Sequence, residues 1–142
     1  MFNRIVVICD GNICRSPTAA AILAAGVPGK QISSAGLIAV VGQDMAPLAR
    51  EVAESRGLHC PSHQARQLDS LISNTADLLL VMEKRQRNEL MQRYPAASGK
   101  VFLLDHWSGG ADIPDPYRRD RDTFEHVYEL IERASTAWLA RL

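Results

Sequence analysis

The chain has 142 residues, of which 46% are hydrophobic and 23% are charged, and its 16 basic and 16 acidic residues cancel. This length and composition are typical of one globular domain, residues 1–142, and exclude a disordered or fibrous chain. A balanced charge gives no overall field that would attract nucleic acid or an anionic membrane surface, so neither is expected as a partner.

The first predicted element is a buried strand over Arg4–Cys9, because the run RIVVIC is rich in β-branched residues. The N-terminal segment lacks the small-residue cleavage site of a signal peptide, and no apolar run approaches the roughly 18 residues of a membrane span. A cytoplasmic location without membrane insertion is therefore expected. Three cysteines in such a chain indicate free thiols, one of them a candidate nucleophile, more than a disulfide framework.

Helices and strands alternate along the rest of the chain. Further strands are predicted over residues 31–35, 77–82 and 100–104. Helices are predicted over residues 18–25, 45–56, 84–93 and 120–141, with a helical turn over 68–73 and a long loop over 105–119. The alternation predicts an α/β fold: an open sheet of four parallel strands with helices on both faces.

The last predicted helix carries an apolar stripe that should face the core. The stripe consists of Phe124, Val127, Ile131, Ala134 and Trp138. In open parallel sheets, ligands bind outside the carboxyl ends of the strands, and Cys9 lies at such an end.

The segment after the first strand, CDGNICRS over residues 9–16, indicates an anion site. Gly and Asn tolerate the dihedral angles of a tight loop, whose N–H groups can curl inward beside a helix N-terminus. Arg15 offers a planar fork to two phosphate oxygens. These groups favour the Cys9 thiolate, which is then positioned to attack phosphorus and form a phosphocysteine. The predicted phosphate-binding residues around Cys9 and Arg15 are Asp10, Gly11, Asn12, Ile13, Cys14 and Ser16.

Two residues of this segment allow more than one interpretation. Ser16 donates a hydrogen bond to Cys9, caps the following helix ahead of Pro17, or does both. Cys14 either packs in the loop or pairs oxidatively with Cys9. A zinc site built from Cys9, Cys14 and the residues around position 60 is disfavoured, because a second regular cysteine pair is missing. We predict neither a metal nor a cofactor.

The long loop supplies the acid that phosphocysteine chemistry needs. Asp115 lies between Pro114 and Pro116, which stiffen its backbone. The loop leaves a carboxyl end of the sheet and should therefore reach the rim where Cys9 lies. A bound phosphate favours the protonated form of a nearby carboxyl group, as general acid catalysis requires. The alternative is an ordinary turn, since Asp-Pro is a common turn pair.

The motif Cys-x-Gly-Asn-Ile-Cys-Arg-Ser-Pro from Cys9, together with Asp-Pro-Tyr from Asp115, resembles the low-molecular-weight protein tyrosine phosphatases of bacterial type. Residues 34–36, 63–67 and 80–83 resemble further segments of that family, in order. The resemblance implies a flavodoxin-like sheet and metal-free hydrolysis of phosphotyrosine. It implies Cys9 as nucleophile, Arg15 as phosphate binder, and Asp115 as acid and then base. It also implies that Asn12, Ser16, Ser34 and His63 form the hydrogen-bond network that shapes the loop.

The resemblance also bears on specificity. Ile13 resembles the tyrosine-directed members, whereas relatives that act on phosphoarginine carry Thr there. A phosphoarginine phosphatase and a non-catalytic phosphopeptide-binding module remain the alternatives. The bacterial relatives imply, as substrate, the tail of an autophosphorylated tyrosine kinase that controls capsule or exopolysaccharide production. The walls of the pocket are predicted from residues Leu37, Ile38, Val40, Trp107 and Tyr117.

Two arginine-rich stretches, residues 84–87 and 118–121, are predicted to be solvated faces. The alternative is that one of them steers an acidic substrate toward the pocket, since exposed basic patches raise association rates.

Overall fold

The computed structural model describes residues 2–142, so the part of the N-terminal prediction that concerns Met1 lies outside the described residues. The strands are Arg4–Cys9 (β1), Gln31–Gly36 (β2), Leu78–Val81 (β3) and Val101–Leu103 (β4). They pair in parallel in the order β2-β1-β3-β4. The predicted parallel sheet is confirmed, and β1 has the predicted bounds.

The α-helices are Arg15–Gly26 (α1), Pro47–Ser55 (α2), Ser70–Thr75 (α3), Lys84–Arg93 (α4) and Arg121–Leu139 (α5). Two short 3-10 helices, Pro95–Lys100 and Leu104–Ser108, were not predicted. The helix predicted over 18–25 begins three residues earlier, at Arg15. The turn predicted over 68–73 is displaced to α3, because the Asp69 side chain caps it by accepting from Ile72 N.

Apolar side chains pack on both faces of the sheet. Val7 of β1 packs with α1 and α5 on one face, and Ile8 packs with α4 on the other. Burying a branched side chain of this size contributes about 1.5–3 kcal/mol. The predicted stripe on the last helix is confirmed, because all five of its residues are buried. No helix within residues 2–142 is both long and apolar enough to cross a membrane.

Three segments meet at the carboxyl edge of the sheet. β1 ends at Cys9, β3 ends at Val81 beside Glu83, and β4 is followed by the loop that carries Asp115. The parallel register places these strand ends on one rim. The fold therefore brings residues from three distant parts of the sequence to one place.

Candidate active site

The backbone of the phosphate loop (residues 9–16) turns its carbonyl groups outward. The carbonyl oxygens of residues 10–13 accept hydrogen bonds, in order, from Ile38 N, Val40 N, His63 Nε2 and Ala46 N. Peptide bonds within residues 2–142 are all trans, and a trans peptide points its N–H away from its C=O. The N–H groups of residues 11–14 therefore point into the curve of the loop, as an anion nest requires.

Asn12 fixes the shape of this loop. It is fully buried and has φ of 61°, which Asn tolerates better than most residues. Its Nδ2 donates to Ser16 Oγ at 2.8 Å, and its Oδ1 accepts from Arg66 N at 3.0 Å. The amide side chain thus links the loop to the start of α1 and to residue 66, which follows it by 54 positions.

His63 and Ser34, both predicted to support the loop, lie beside it but act in different ways. His63 Nε2 donates to the Asn12 carbonyl at 2.6 Å. Ser34 contributes its backbone carbonyl, which accepts from Arg66 Nε at 2.9 Å. Arg66 therefore links Ser34 to Asn12. It was not among the site residues predicted from the sequence. The sequence signal for Arg66 was its position in the segment 63–67, three residues after His63.

Cys9 lies at the floor of the loop and is 2% exposed. Its Sγ is 2.9 Å from Ser16 Oγ, and Asn12 Nδ2 donates to that same oxygen. With one lone pair of the oxygen taken, the hydroxyl hydrogen is available to the sulfur. The alternative role of Ser16 as helix cap is wrong, because α1 begins at Arg15 and includes Ser16 in its first turn.

Arg15 is the largest buried charged group at the site, with 1% of its side chain exposed. Its Nη1 binds Glu83 Oε2 at 2.5 Å and the Ile113 carbonyl at 2.8 Å. Its Nε has no hydrogen-bond partner among residues 2–142. Its Nη2 has only long contacts, 3.7 Å to Asp10 Oδ2 and 3.8 Å to Asp115 Oδ2. One edge of the guanidinium is therefore fixed, while the Nε–Nη2 edge remains available to two oxygens of a ligand.

Glu83 was not predicted as a site residue. It lies 68 residues from Arg15 in the sequence, so spacing alone gives no indication of the pair. The available signal was positional: Glu83 follows the end of a buried strand, on the rim where ligands bind. The Glu83 carboxylate balances the charge of the buried Arg15 guanidinium. Without this partner, removing the guanidinium from water would cost a large desolvation free energy.

Asp115 lies above the loop on the acid segment (residues 113–117), with 45% of its side chain exposed. Its Oδ1 accepts from Tyr117 N at 3.0 Å, while its Oδ2 faces Arg15. The segment is anchored on both sides of Asp115. Ile113 N donates to the Met82 carbonyl at 2.9 Å, and Pro116 is buried.

Cys9, Arg15 and Asp115 line one pocket of about 160 Å³. The structure thus brings together the three predicted catalytic residues. The other lining residues are Gly11, Ile13, Cys14, Val40 and Tyr117.

Three of the five predicted wall residues do not line this pocket. Leu37 is buried in the core beside Ile8, since it follows β2 directly. Ile38 is 70% exposed and points to solvent. The prediction for Trp107 is wrong, because its ring packs 5.6 Å from that of Trp138 and 4.0 Å from the Arg141 guanidinium, at the end of α5.

Cys14 has a different environment from Cys9 on the same loop. Its side chain packs against α2, beside Met45 and Ala49. Burial, with smaller contributions from Asp115 and Cys9, raises the pKa of the Cys14 thiol to about 12. Cys14 is therefore a protonated, packed thiol at neutral pH. All three cysteines are free. Within residues 2–142, no three His, Cys, Asp or Glu side chains lie close enough together to hold a metal ion.

Asp10, predicted as part of the phosphate-binding loop, turns its side chain toward α4. Gln86 Nε2 donates to its Oδ1 at 3.0 Å and Arg85 Nη2 donates to its Oδ2 at 2.8 Å. Partial burial alone would raise the pKa of Asp10, but the bonds from Arg85 and Gln86 outweigh it and lower the pKa below the usual 3.8. The stretch 84–87 is thus not wholly a solvated face, since Arg85 and Gln86 contact the loop.

Comparison with known proteins identifies similar chains over the full length. Residues 4–142 match the family model described as low molecular weight phosphotyrosine protein phosphatase. The low molecular weight protein-tyrosine-phosphatase Wzb of Escherichia coli strain K12 is 45% identical over 142 residues, which cover 100% of this chain and 97% of the relative.

Two solved structures have closely similar backbones. Vibrio vulnificus Wzb in complex with benzylphosphonate has a TM-score of 0.97 and 42% identity, with 100% of both chains covered. The YwlE arginine phosphatase from Geobacillus stearothermophilus has a TM-score of 0.91 and 29% identity, with 98% of this chain and 92% of that chain covered.

Proposed function

The chain belongs to the low molecular weight phosphotyrosine protein phosphatase family, as a hydrolase of the bacterial type, and we propose that it hydrolyses phosphotyrosine through a phosphocysteine on Cys9. One observation carries the proposal: Cys9, the available edge of Arg15 and the Asp115 carboxyl group line a single pocket. A nucleophile, an oxyanion binder and an acid in mutual reach are the parts that phosphoryl transfer requires.

In the proposed complex, the phosphate occupies the curve of the phosphate loop. The Nε and Nη2 groups of Arg15 bind two of its oxygens side by side. The inward N–H groups of residues 11–14 and the N-terminus of α1 bind the others. Binding at these fixed donors stabilises the charge on the equatorial oxygens of the transition state without reorganising the loop.

The first chemical step forms a sulfur–phosphorus bond and breaks the bond between phosphorus and the tyrosine oxygen. The Cys9 thiolate supplies the electron pair, and Asp115 donates its proton to the departing phenol oxygen. Ser16 donates a hydrogen bond to the sulfur, which stabilises the thiolate before attack. The products are free tyrosine on the protein substrate and a phosphocysteine.

The second step releases inorganic phosphate. Asp115, now ionised, accepts a proton from a water molecule, whose oxygen attacks phosphorus as the sulfur–phosphorus bond breaks. The electron pair returns to Cys9, and the Ser16 hydroxyl again stabilises the thiolate as it leaves. Asp115 regains its proton, so the enzyme returns to its starting state.

Three observations favour phosphotyrosine over phosphoarginine as the substrate. Cys9 is buried at the floor of the pocket, beneath the exposed side chains of Val40 and Tyr117, so an apolar aryl group fits along the walls. The Vibrio vulnificus structure contains benzylphosphonate, which joins an aromatic ring to a phosphonate. Ile13 on the pocket wall adds an apolar contact rather than a polar one.

The test is hydrolysis of a phosphotyrosine peptide and of a matched phosphoarginine peptide in the presence of excess chelator. We expect release of phosphate from the phosphotyrosine peptide by the wild type. Cys9→Ser should lower the rate by about 10⁴-fold or more, as loss of a catalytic nucleophile does. Preference for phosphoarginine, binding without turnover, or loss of activity with chelator would each contradict the proposal.

The family resemblance extends the proposal to a physiological substrate. We propose that the protein acts in the cytoplasm on the phosphorylated tail of a tyrosine kinase that controls capsule or exopolysaccharide production. The experiment compares kcat/KM on the autophosphorylated kinase from the same organism with that on an unrelated phosphotyrosine protein. A preference for the kinase supports this assignment, and equal rates on both substrates contradict it.

A further inference from the structure

The first turn of α4 holds the side chain of Asp10 from two directions. Gln86 is fully buried, and its Oε1 accepts from Met82 N and Glu83 N, both at 3.0 Å. Its Nε2 is therefore fixed where it donates to Asp10 Oδ1. Arg85 Nη2 holds the other carboxylate oxygen, Oδ2, at 2.8 Å. Both oxygens of a residue adjacent to the nucleophile are thus bound to one helix.

Two arginines share the same pair of carboxylates. Asp10 Oδ2 lies 2.8 Å from Arg85 Nη2 and 3.7 Å from Arg15 Nη2. Glu83 Oε2 lies 2.5 Å from Arg15 Nη1 and 3.5 Å from Arg85 Nη2. Arg15 is buried, whereas Arg85 is 54% exposed. Arg85 is therefore the outer cation of this cluster of Asp10, Glu83, Arg15 and Arg85, next to two of the three carboxylates that contact Arg15.

Asp10 is an unfavourable residue for an anion site unless its charge is balanced. Its carboxylate is ionised at neutral pH, since its pKa is lowered. Its Oδ2 faces Arg15 Nη2, one of the two groups available to phosphate. Without a second cation, Asp10 would approach Arg15 as an internal anion, compete with phosphate for Nη2 and repel the phosphate dianion.

We propose that Arg85 is a positioning residue for phosphate binding: it holds Asp10 away from Arg15 Nη2 and balances its charge. Gln86 is neutral, so it can orient Asp10 without balancing the charge. Arg85 acts through Asp10, and substrate contact is not required. The inference rests on the proposed function of the phosphate loop.

The experiment is a double-mutant cycle on binding of inorganic phosphate, followed directly by titration calorimetry. Arg85→Met should raise the Kd for phosphate by about tenfold, which corresponds to 1.4 kcal/mol. Asp10→Asn should lower the Kd for phosphate, because it removes the anion that faces Arg15 Nη2. The double variant Asp10→Asn/Arg85→Met should return to within about twofold of the wild type, because no carboxylate remains for Arg85 to balance.

The matched control is Arg87→Met, which removes one positive charge two residues further along α4. Arg87 is not part of the cluster of Asp10, Glu83 and Arg85, so its loss should change the Kd by less than about twofold. Arg85→Lys, which retains the charge, should keep most of the affinity. Thermal melts check that each variant is folded.

Two results would overturn the proposal. If the double variant binds phosphate as weakly as Arg85→Met, Arg85 acts on the ligand directly or on the fold. If Arg85→Met behaves like Arg87→Met, the pair has no role in binding. Phosphate binding is measured without turnover, so these results are independent of the hydrolysis assay. Failure of the proposed function appears instead as a wild type that binds phosphate but does not hydrolyse phosphotyrosine.

Discussion

The phosphate loop and the acid segment face each other across one pocket but are built in opposite ways. In the loop, Asn12, Arg15 and Ser16 are almost completely buried, and each has a polar partner. In the acid segment, Asp115 is half-exposed, and within residues 2–142 its Oδ1 accepts a hydrogen bond only from Tyr117 N, two residues away. The phosphate loop is held by contacts from several distant parts of the fold. The acid segment is held at its two anchors, Ile113 and Pro116.

The difference follows from what each region is proposed to do. The loop must hold several donors in place for a phosphate, and burial keeps them from reorganising around water. Asp115 must exchange protons with a leaving group and then with water, which requires an exposed carboxyl group. Changes in the loop should therefore alter stability and activity together, whereas a change at Asp115 should alter activity alone.

Among the changes that separate the two regions, the largest effect is expected from Asp115→Asn. Loss of the acid should lower kcat for a phosphotyrosine peptide, whose phenol leaving group needs a proton, by about 10³-fold, within the range of general acid–base catalysis. The free energy of unfolding should change by less than about 0.5 kcal/mol, because the side chain is half-exposed. Steady-state kinetics and urea unfolding of the same preparation measure both quantities. A large loss of stability would contradict the contrast between the two regions.

Asn12→Ala should lower both the free energy of unfolding and kcat/KM. It leaves Arg66 N without its partner, removes the hydrogen bond that Ser16 Oγ accepts and places Ala at a positive φ, at a cost of about 3 kcal/mol in the free energy of unfolding. We expect kcat/KM to fall by about 10²-fold, since the loop loses its shape. Asn12→Gly is the matched control, because Gly accepts the dihedral angle and isolates the lost hydrogen bonds. Stability equal to the wild type in Asn12→Ala would be the contrary result.

A smaller effect is expected from Ser16→Ala. Loss of the hydrogen bond to Cys9 Sγ should lower kcat by about tenfold, the scale of one bond to a charged group. Ser73 supplies the control, because it is equally buried and its Oγ has no hydrogen-bond partner among residues 2–142. Ser73→Ala should leave kcat unchanged. Equal kinetics of the two variants would show that Ser16 does not act on the sulfur.

The smallest effect near neutral pH concerns Cys14, because it develops only at high pH. The folded thiol has a pKa of about 12, whereas the reference value is 9.0. A raised folded pKa contributes stability that is fully present below pH 9 and lost as the pH rises toward 12. The stability advantage of the wild type over Cys14→Ala should therefore shrink above pH 9. Thermal melts of the wild type and Cys14→Ala across this pH range measure the difference in stability. A stability difference that does not change with pH would contradict the raised pKa of Cys14.

The sequence predicts the fold well because its signals are local. The runs IVVIC (residues 5–9) and LLLV (residues 78–81) are apolar at every position, which indicates strands buried on both faces. At Ser16 the same local signals left two roles open: Ser before Pro is typical of a helix cap, but only the predicted contact of the hydroxyl with Cys9 is present. Propensity cannot decide between a cap and a tertiary contact when one residue is suited to both.

The site was predictable only where its residues lie in one motif. The loop from Cys9 to Ser16 and the Asp-Pro-Tyr segment were found because spacing shows them. The pair Arg15–Glu83 and the contact of Asp10 with Arg85 join residues more than 60 positions apart. Trp107 was assigned to the pocket because aromatic residues suit such walls, but the sequence does not show which way a loop residue faces.

The most direct test of the central claim is to find the covalent intermediate. Asp115→Asn is mixed with p-nitrophenyl phosphate, whose good leaving group does not need the acid, and is quenched before the second step. Fragmentation must separate Cys9 from Cys14, because trypsin cleavage after Arg4 and Arg15 leaves both on one peptide. We expect one phosphoryl group on the sulfur of Cys9. Turnover with a phosphoryl group on any other residue would contradict it.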